Sequence, residues 1–183
     1  VARYYNVPLW SRQHFDIMKP LMQQLANAGQ KVITASVMHH PWAGQTEDPF
    51  DSMVFRMKKI DGSWVYDYTV FDRWVEFMMS LGIDRQINCY TLVPWALKFD
   101  YYDQATNRIR FVEAKPGEAA YEDYWFSFLK DFAGHLRQKG WFEKTTIAMD
   151  ERGKSMMQKA FDLIFRADAG YKVSGAGDYY PEI

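Results

Sequence analysis

Two adjacent carboxylates, Asp150 and Glu151, are the residues of this sequence whose types and position best suit chemistry. They directly follow the apolar run 145–149, which is typical of a buried strand. Carboxylates at the end of such a strand are costly unless they are solvated, paired or functional. Two structural roles compete with function, since Glu151 could cap the following helix or pair with Arg152 or Lys154. Because two acidic residues lie side by side, we favour a functional role.

A neighbouring pair of carboxylates fits one form of glycoside hydrolysis. Most glycosidases protonate the leaving oxygen with one carboxylic acid and place a second carboxylate at the cationic centre, usually from another strand. An adjacent pair instead indicates substrate assistance, in which a 2-acetamido group of the sugar is the nucleophile. Asp150 would then orient that group, and Glu151 would be the general acid and base. The pair therefore predicts a glycosidase.

Polar and aromatic residues follow the other predicted strands as well. Trp42 and Trp95 each lie beside a proline at a strand end, where they could be flat platforms for sugar rings or pack beneath inserted hairpins. Adjacent histidines on one strand point to opposite faces, so His39 and His40 are poor partners for one metal ion, and no metal site is predicted. Hydrogen bonding to sugar hydroxyls suits one of them better. The predicted substrate-binding residues are His39, His40, Trp42, Tyr90, Trp95, Arg152, Tyr179 and Tyr180.

The elements that must position these residues recur along the chain. Four amphipathic stretches with helical spacing each end near a glycine, and a short β-rich run follows each one. Alternation of this kind predicts βαβ units and a parallel sheet, and the continuous apolar strands fit burial on both faces. The predicted helices are 11–28, 70–81, 119–138 and 154–166, and the predicted strands are 1–5, 31–38, 86–93, 145–149 and 171–175.

Two long insertions interrupt this plan on the side where the strands end. The segments 53–68 and 99–113 both read as hairpins, the first with an Asp-Gly turn. A (β/α)8 barrel builds its active site on that side, and an open doubly wound sheet also binds ligands there. No Gly-x-Gly-x-x-Gly turn follows the first strand, and the turn 175–177 is a lone run of small residues. We therefore predict an α/β fold of the (β/α)8 TIM-barrel type. The chain would be an incomplete barrel of about five βα units.

Composition excludes several classes of function. The net charge of -1, from 22 basic and 23 acidic residues, provides no electrostatic footprint for nucleic acid or an anionic membrane. No apolar run approaches the roughly 20 residues of a membrane span. A single cysteine, Cys89, excludes an internal disulfide. The aromatic content of 17% fits either a large core or a sugar-binding cleft, and the position of the rings must decide between them.

The stretch 145–152 resembles the catalytic Asp-Glu segment of glycoside hydrolase family 123. The run 39–42 and the two aromatic hairpins resemble the same family. The resemblance implies a retaining β-N-acetylgalactosaminidase without metal or organic cofactor, whose (β/α)8 domain lies between β-sandwich domains. Carried over to this chain, Asp150 would stabilise an oxazolinium-like intermediate. Glu151 would protonate the departing oxygen and then deprotonate the incoming water. Localisation is not indicated by the chain itself, and the resemblance implies export.

The chain is expected to be part of a larger protein, and three alternative functions remain open. Residues 1–183 are expected to form part of a single catalytic barrel domain, with the remaining strands and the flanking β-sandwich domains outside this chain. The predicted partners are a carbohydrate substrate and those flanking domains. One alternative is another barrel glycosidase, a β-N-acetylglucosaminidase or a β-galactosidase. The others are a non-catalytic carbohydrate-binding barrel and an α/β scaffold whose acidic pair caps a helix.

Overall fold

The computed structural model describes residues 1–46 and 51–177, which form a mixed α/β domain with two sheets. The helices are α1 (Arg12–Asn27), α2 (Thr69–Ser80), α3 (Ala119–Gln138) and α4 (Lys154–Ala167). The strands are β1 (Val32–Ser36), β2 (Phe55–Lys58), β3 (Trp64–Asp67), β4 (Gln86–Tyr90), β5 (Lys98–Asp103), β6 (Arg108–Glu113), β7 (Thr145–Met149) and β8 (Lys172–Gly175). Each predicted helix is present, with ends within one residue of its predicted bounds.

The first sheet contains four parallel strands in the order β1-β4-β7-β8. Each new strand is added at the same edge, and a helix lies in each connection: α2 before β4, α3 before β7 and α4 before β8. These are the predicted βαβ units. Within the described residues the sheet stays open at both edges, so closure into a barrel is not observed.

The predicted strand at residues 1–5 is wrong. Its backbone forms a turn instead, because the amide of Tyr5 donates to the carbonyl oxygen of Val1 and that of Val7 to Ala2, both at 3.0 Å. A strand there would also bury alternate side chains, whereas Tyr4 and Tyr5 are exposed. The parallel sheet therefore has four strands among the described residues rather than five.

The two faces of the parallel sheet differ in character. Ile87 of β4 and Ile147 of β7 are fully buried in the core that the helices cover. The alternate positions are polar: the Thr146 hydroxyl donates to Asn88 Oδ1 at 2.7 Å and lies 3.1 Å from the Ser174 hydroxyl. The predicted burial of both faces holds for β7, all of whose residues are buried, but is wrong for β4, where burial alternates. A polar row therefore runs along the sheet beneath the strand ends.

Both predicted hairpins are confirmed, as β2–β3 and β5–β6. The sequence did not indicate that they join each other. β2 pairs with β5 in parallel, with Met57 opposite Tyr102, which produces one sheet of order β3-β2-β5-β6. This hairpin sheet packs on α3 through β3 and β6.

The helix α3 packs between the two sheets and carries much of the aromatic core. The Tyr121 hydroxyl donates to the carbonyl oxygen of Leu92, just after β4, and the Tyr124 hydroxyl donates to that of Asp100 in β5. Each buried aromatic ring removes a large apolar area from water. The aromatic content is therefore explained mainly by the core. The fully buried aromatic residues are Phe71, Phe99, Tyr121, Tyr124, Trp125, Phe128 and Phe132.

Candidate active site

The loops after β4, β7 and β8 enclose one cleft at the carboxyl edge of the parallel sheet. Parallel strands end at the same edge, so residues far apart in sequence meet there. The cleft has a volume of about 350 Å³, and its lining includes Trp95, Asp150, Glu151 and Arg152. Four of the predicted site residues therefore lie together.

The carboxylate of Asp150 is held by two N–H donors. The indole Nε1 of Trp95 donates to its Oδ2 at 3.1 Å, and the backbone amide of Glu151 donates to its Oδ1 at 2.9 Å. Each carboxylate oxygen has a second lone pair that can accept from a ligand. Asp150 is thus a half-buried carboxylate of fixed orientation that still has acceptor capacity towards the cleft.

Glu151 has a different environment in the same cleft. Its side chain is exposed, as a group that exchanges protons with water and substrate must be. It does not cap α4, because the N-cap is Gly153 and that helix start has no side-chain hydrogen bond. The alternative in which Glu151 caps the following helix is therefore contradicted.

The backbone just after β8 packs against Glu151. The amide of Ala176 donates to the carbonyl oxygen of Met149, which ties the two strand ends together at 2.9 Å. The next residue, Gly177, has φ +126, and a Cβ there would lie 2.6 Å from Cγ of Glu151. This close approach needs glycine for both space and conformation. Gly177 was not predicted as a site residue, although the small-residue turn 175–177 at a strand end was the available signal.

Trp95 makes two contacts at the site that the sequence did not predict. Its indole nitrogen holds Asp150, and the guanidinium of Arg152 stacks over its ring at 4.8 Å from the centroid. Such a cation–π contact restrains both side chains. The loops after β4 and β7 are therefore joined at the cleft by these three residues. The predicted role of Trp95 as a sugar platform stays a prediction.

Tyr90 and Trp42 lie together at the ends of the neighbouring strands. Their rings are 5.9 Å apart. The register of β4 and β7 places Tyr90 beside Ala148, two residues before Asp150. Both rings are half-buried, and both remain predicted substrate-binding residues.

The two histidines lie beside the hairpin sheet. Their rings are adjacent, with centroids 4.3 Å apart, so the expectation that they point to opposite faces is wrong. The reason is that β1 ends at Ser36, and His40 adopts φ +48 rather than an extended conformation. His39 lines a separate cavity of about 340 Å³ with Phe111 of β6, and its Nδ1 lies 3.3 Å from Asp51 Oδ1. The carboxylate pair does not line that cavity. Tyr179 and Tyr180 lie outside the described residues.

The described part of the chain presents neither a metal-binding group of side chains nor an accessible cysteine nucleophile. Across residues 1–46 and 51–177, no group of three or more His, Cys, Asp or Glu side chains is arranged to hold a metal ion. Burial raises the pKa of the Cys89 thiol, which is fully buried in β4 and therefore not an available nucleophile. Within the same ranges, no helix is both long and apolar enough to cross a membrane.

The hydrogen bond from Trp95 to Asp150 can be tested by Trp95→Phe. This change removes the N–H donor and keeps an aromatic ring beneath Arg152. A charge-assisted hydrogen bond is lost while the amide of Glu151 still holds the other oxygen, so we expect kcat/KM for a cleaved glycoside to fall by about tenfold. Steady-state kinetics measure the effect.

The matched control for that change is Trp74→Phe. The indole of Trp74 donates to the carbonyl oxygen of Thr34 on the first strand and does not line the carboxylate cleft. Its loss should lower stability without changing kcat/KM of the folded enzyme. Equal kcat/KM for Trp95→Phe and wild type would show that the bond to Asp150 has no role in orientation.

Comparisons with known proteins agree with this fold. A family model described as the catalytic domain of glycoside hydrolase 123 matches residues 1–182. A solved family 123 glycoside hydrolase from Clostridium perfringens, whose structure details glycolipid glycan hydrolysis, matches with a TM-score of 0.91 and 32% identity. The match covers 97% of this chain and 33% of that enzyme. No curated protein matches the chain.

These matches show the fold to be that of a glycoside hydrolase. Because the family model covers nearly the whole chain and the solved structure matches throughout, the chain belongs to the glycoside hydrolase 123 family and corresponds to its catalytic domain. The sequence resemblance is thereby confirmed. The chain spans about a third of the length of the solved relative.

Proposed function

We propose that the protein hydrolyses terminal β-linked N-acetylhexosamine, N-acetylgalactosamine in particular, with retention of configuration and with assistance from the substrate acetamido group. The single observation that carries this proposal is the contrast between two neighbouring carboxylates in one cleft. Asp150 is fixed by two N–H donors, whereas Glu151 is exposed.

Asp150 suits the acetamido group because its oxygens are fixed before substrate arrives. In substrate assistance the acetamido oxygen attacks the anomeric carbon, and the acetamido N–H becomes more acidic as the ring closes. A carboxylate that accepts a hydrogen bond from this N–H stabilises the developing positive charge. A preoriented acceptor contributes more than a mobile one, since no reorganisation is needed in the transition state.

Glu151 suits proton transfer because it is accessible from the cleft. It would donate a proton to the leaving oxygen and later accept one from water, which are the two halves of general acid–base catalysis. Its neighbour in sequence cannot lie on the opposite face of the sugar ring, as the nucleophile of an ordinary retaining enzyme must. The adjacency of the pair therefore favours the acetamido group as nucleophile.

The remaining barrel and the flanking domains are part of the same proposal. Four parallel strands added in order at one edge, with helices on one face and polar side chains on the other, are what a segment of a (β/α)8 barrel presents. The rest of the protein would supply the other strands, the flanking β-sandwich domains and the second wall of the cleft. His39, His40, Trp42, Tyr90, Tyr179 and Tyr180 are the proposed contacts to the sugar.

Aryl glycosides test this function directly in the full-length protein. We expect cleavage of aryl β-N-acetylgalactosaminide and background rates on aryl β-galactoside, which lacks the 2-acetamido nucleophile. Equal cleavage of both sugars would contradict substrate assistance and leave a glycosidase of another mechanism. Absence of cleavage with retained sugar binding would instead support a carbohydrate-binding barrel. Glycolipid glycans are the natural substrates to try next, because the Clostridium perfringens relative is connected with their hydrolysis.

A further inference from the structure

The indole of Trp95 is oriented by contacts in the cleft rather than by the core. Trp95 is 46% exposed, whereas Leu97, two residues further along the same loop, packs against the core. A half-exposed indole can adopt other rotamers unless specific contacts select one of them. Its hydrogen bond to Asp150 needs one particular orientation, because Nε1 is the only donor of the ring. Whatever selects that orientation therefore also acts on Asp150.

Arg152 supplies a contact that can select this orientation. Its guanidinium lies over the Trp95 ring, with Cζ 4.8 Å from the centroid. A cation over the face of an indole leaves the N–H, which lies in the plane of the ring, available to another partner. Arg152 thus contacts the face of the indole while Asp150 accepts from its edge. The two contacts are compatible and together fix the ring.

The guanidinium is in turn restrained from the helix α4. Its Nη2 lies 3.6 Å from Sδ of Met156, a weak acceptor in the first turn of that helix. The next residue, Met157, is buried in the core and anchors this turn. Arg152 itself is half-buried. A series of contacts therefore connects α4 to Asp150 through the guanidinium and the indole.

We infer that Arg152 is a positioning residue of this active site. It holds the Trp95 indole with its N–H directed at Asp150, and Met156 helps to hold the guanidinium. The inference rests on the proposed function, since the position of Asp150 matters through its hydrogen bond to the acetamido group. The alternative is a direct contact between Arg152 and the sugar, because Arg152 also lines the cleft. The two roles differ in what Arg152 contributes once the indole N–H is absent.

The variants Arg152→Gln and Arg152→Lys test this role in the full-length protein, each alone and combined with Trp95→Phe. On the aryl β-N-acetylgalactosaminide, either single change should lower kcat/KM by about three- to fivefold, because a partly exposed cation–π contact is weak. Lysine keeps the positive charge and any ion pair that depends on it, but its ammonium is not planar. The loss should appear mainly in kcat, since Asp150 acts in the transition state. In the Trp95→Phe background the same changes should cost less than about twofold, because phenylalanine has no N–H to direct at Asp150.

The matched control is Arg73→Gln. The Arg73 guanidinium also lies over an aromatic ring, 5.1 Å from the centroid of Phe15, but it does not line the carboxylate cleft. This change should leave kcat/KM at the value of its parent in both backgrounds. Thermal unfolding of every variant shows whether the kinetic constants refer to folded protein.

The outcomes separate the inference from the function on which it rests. An equal loss in both backgrounds, or a loss confined to KM, would assign Arg152 to direct contact with the sugar and overturn the inference. A loss larger on a disaccharide than on the dinitrophenyl glycoside would place its effect on Glu151 and overturn it as well. Unchanged kcat/KM in both single variants would do the same, and none of these results would affect the glycosidase assignment. Absence of cleavage by the wild-type protein would instead contradict the proposed function, and the inference with it.

Discussion

The variant Glu151→Gln is expected to lose activity in proportion to how poor the leaving group is. On a β-N-acetylgalactosaminide linked to another sugar, kcat/KM should fall by about 10²- to 10⁴-fold, because departure of an alkoxide needs the proton of a general acid. On the dinitrophenyl glycoside, whose leaving group needs no proton, kcat/KM should fall by less than about tenfold. Measuring kcat/KM isolates the step in which the leaving group departs.

Substitution of the neighbouring carboxylate, Asp150, should show no such dependence on the leaving group. This difference distinguishes the two proposed roles. In Asp150→Asn the acetamido group loses the negative charge of its acceptor whatever the leaving group, so kcat/KM should fall to a similar extent on both substrates. Glu143→Gln is a suitable control, since this exposed residue pairs with Lys172 at the opposite end of the parallel sheet. If Glu151→Gln lost equal activity on both glycosides, Glu151 would not be the general acid.

Sequence patterns predicted those parts of the domain that depend on local periodicity. The helix α3 and the strand β7 were predicted with correct bounds, because their apolar spacing and the following glycine or acidic pair are local signals. The strand predicted at residues 1–5 is wrong. Tyrosines favour strands, but the turn observed there is held by backbone hydrogen bonds that composition does not encode. The pairing of the two hairpins also escaped prediction, since contact between β2 and β5 depends on how α3 packs beneath both.

The site was predicted in its composition and only partly in its geometry. Asp150 and Glu151 follow a strand, and parallel topology alone brings them to the sheet edge. The roles of Trp95 and Arg152 depend on the approach of two loops, which residue types cannot specify. The histidines were assigned by their position after a strand. The early end of β1 brings their rings side by side, with His39 next to the hairpin sheet. Gly177 was overlooked because its importance lies in a distance to Glu151 that the sequence does not contain.

The close approach of Gly177 to Glu151 makes Gly177→Ala the second change with a large expected effect. A Cβ at this position would lie 2.6 Å from Cγ and 3.2 Å from Cα of Glu151, so the Glu151 side chain must shift and the contact with its backbone must relax by a few tenths of an ångström. A displacement of about 1 Å in a proton donor costs about 10²-fold in rate, so we expect kcat to fall by about that factor. Steady-state kinetics on the aryl β-N-acetylgalactosaminide measure it, with the folded fraction checked by circular dichroism.

The matched control for this prediction is Gly82→Ala. Gly82 also has a positive φ, of +84, yet an added Cβ there would meet no atom within 4 Å. Both variants should lose about 1 kcal/mol or more of stability, because alanine is strained at positive φ. A loss of kcat confined to Gly177→Ala therefore reports the contact with Glu151 rather than backbone strain. If Gly177→Ala retained wild-type kcat while being destabilised like Gly82→Ala, the turn after β8 would not position the general acid. The Glu151 side chain would then be set by its own loop.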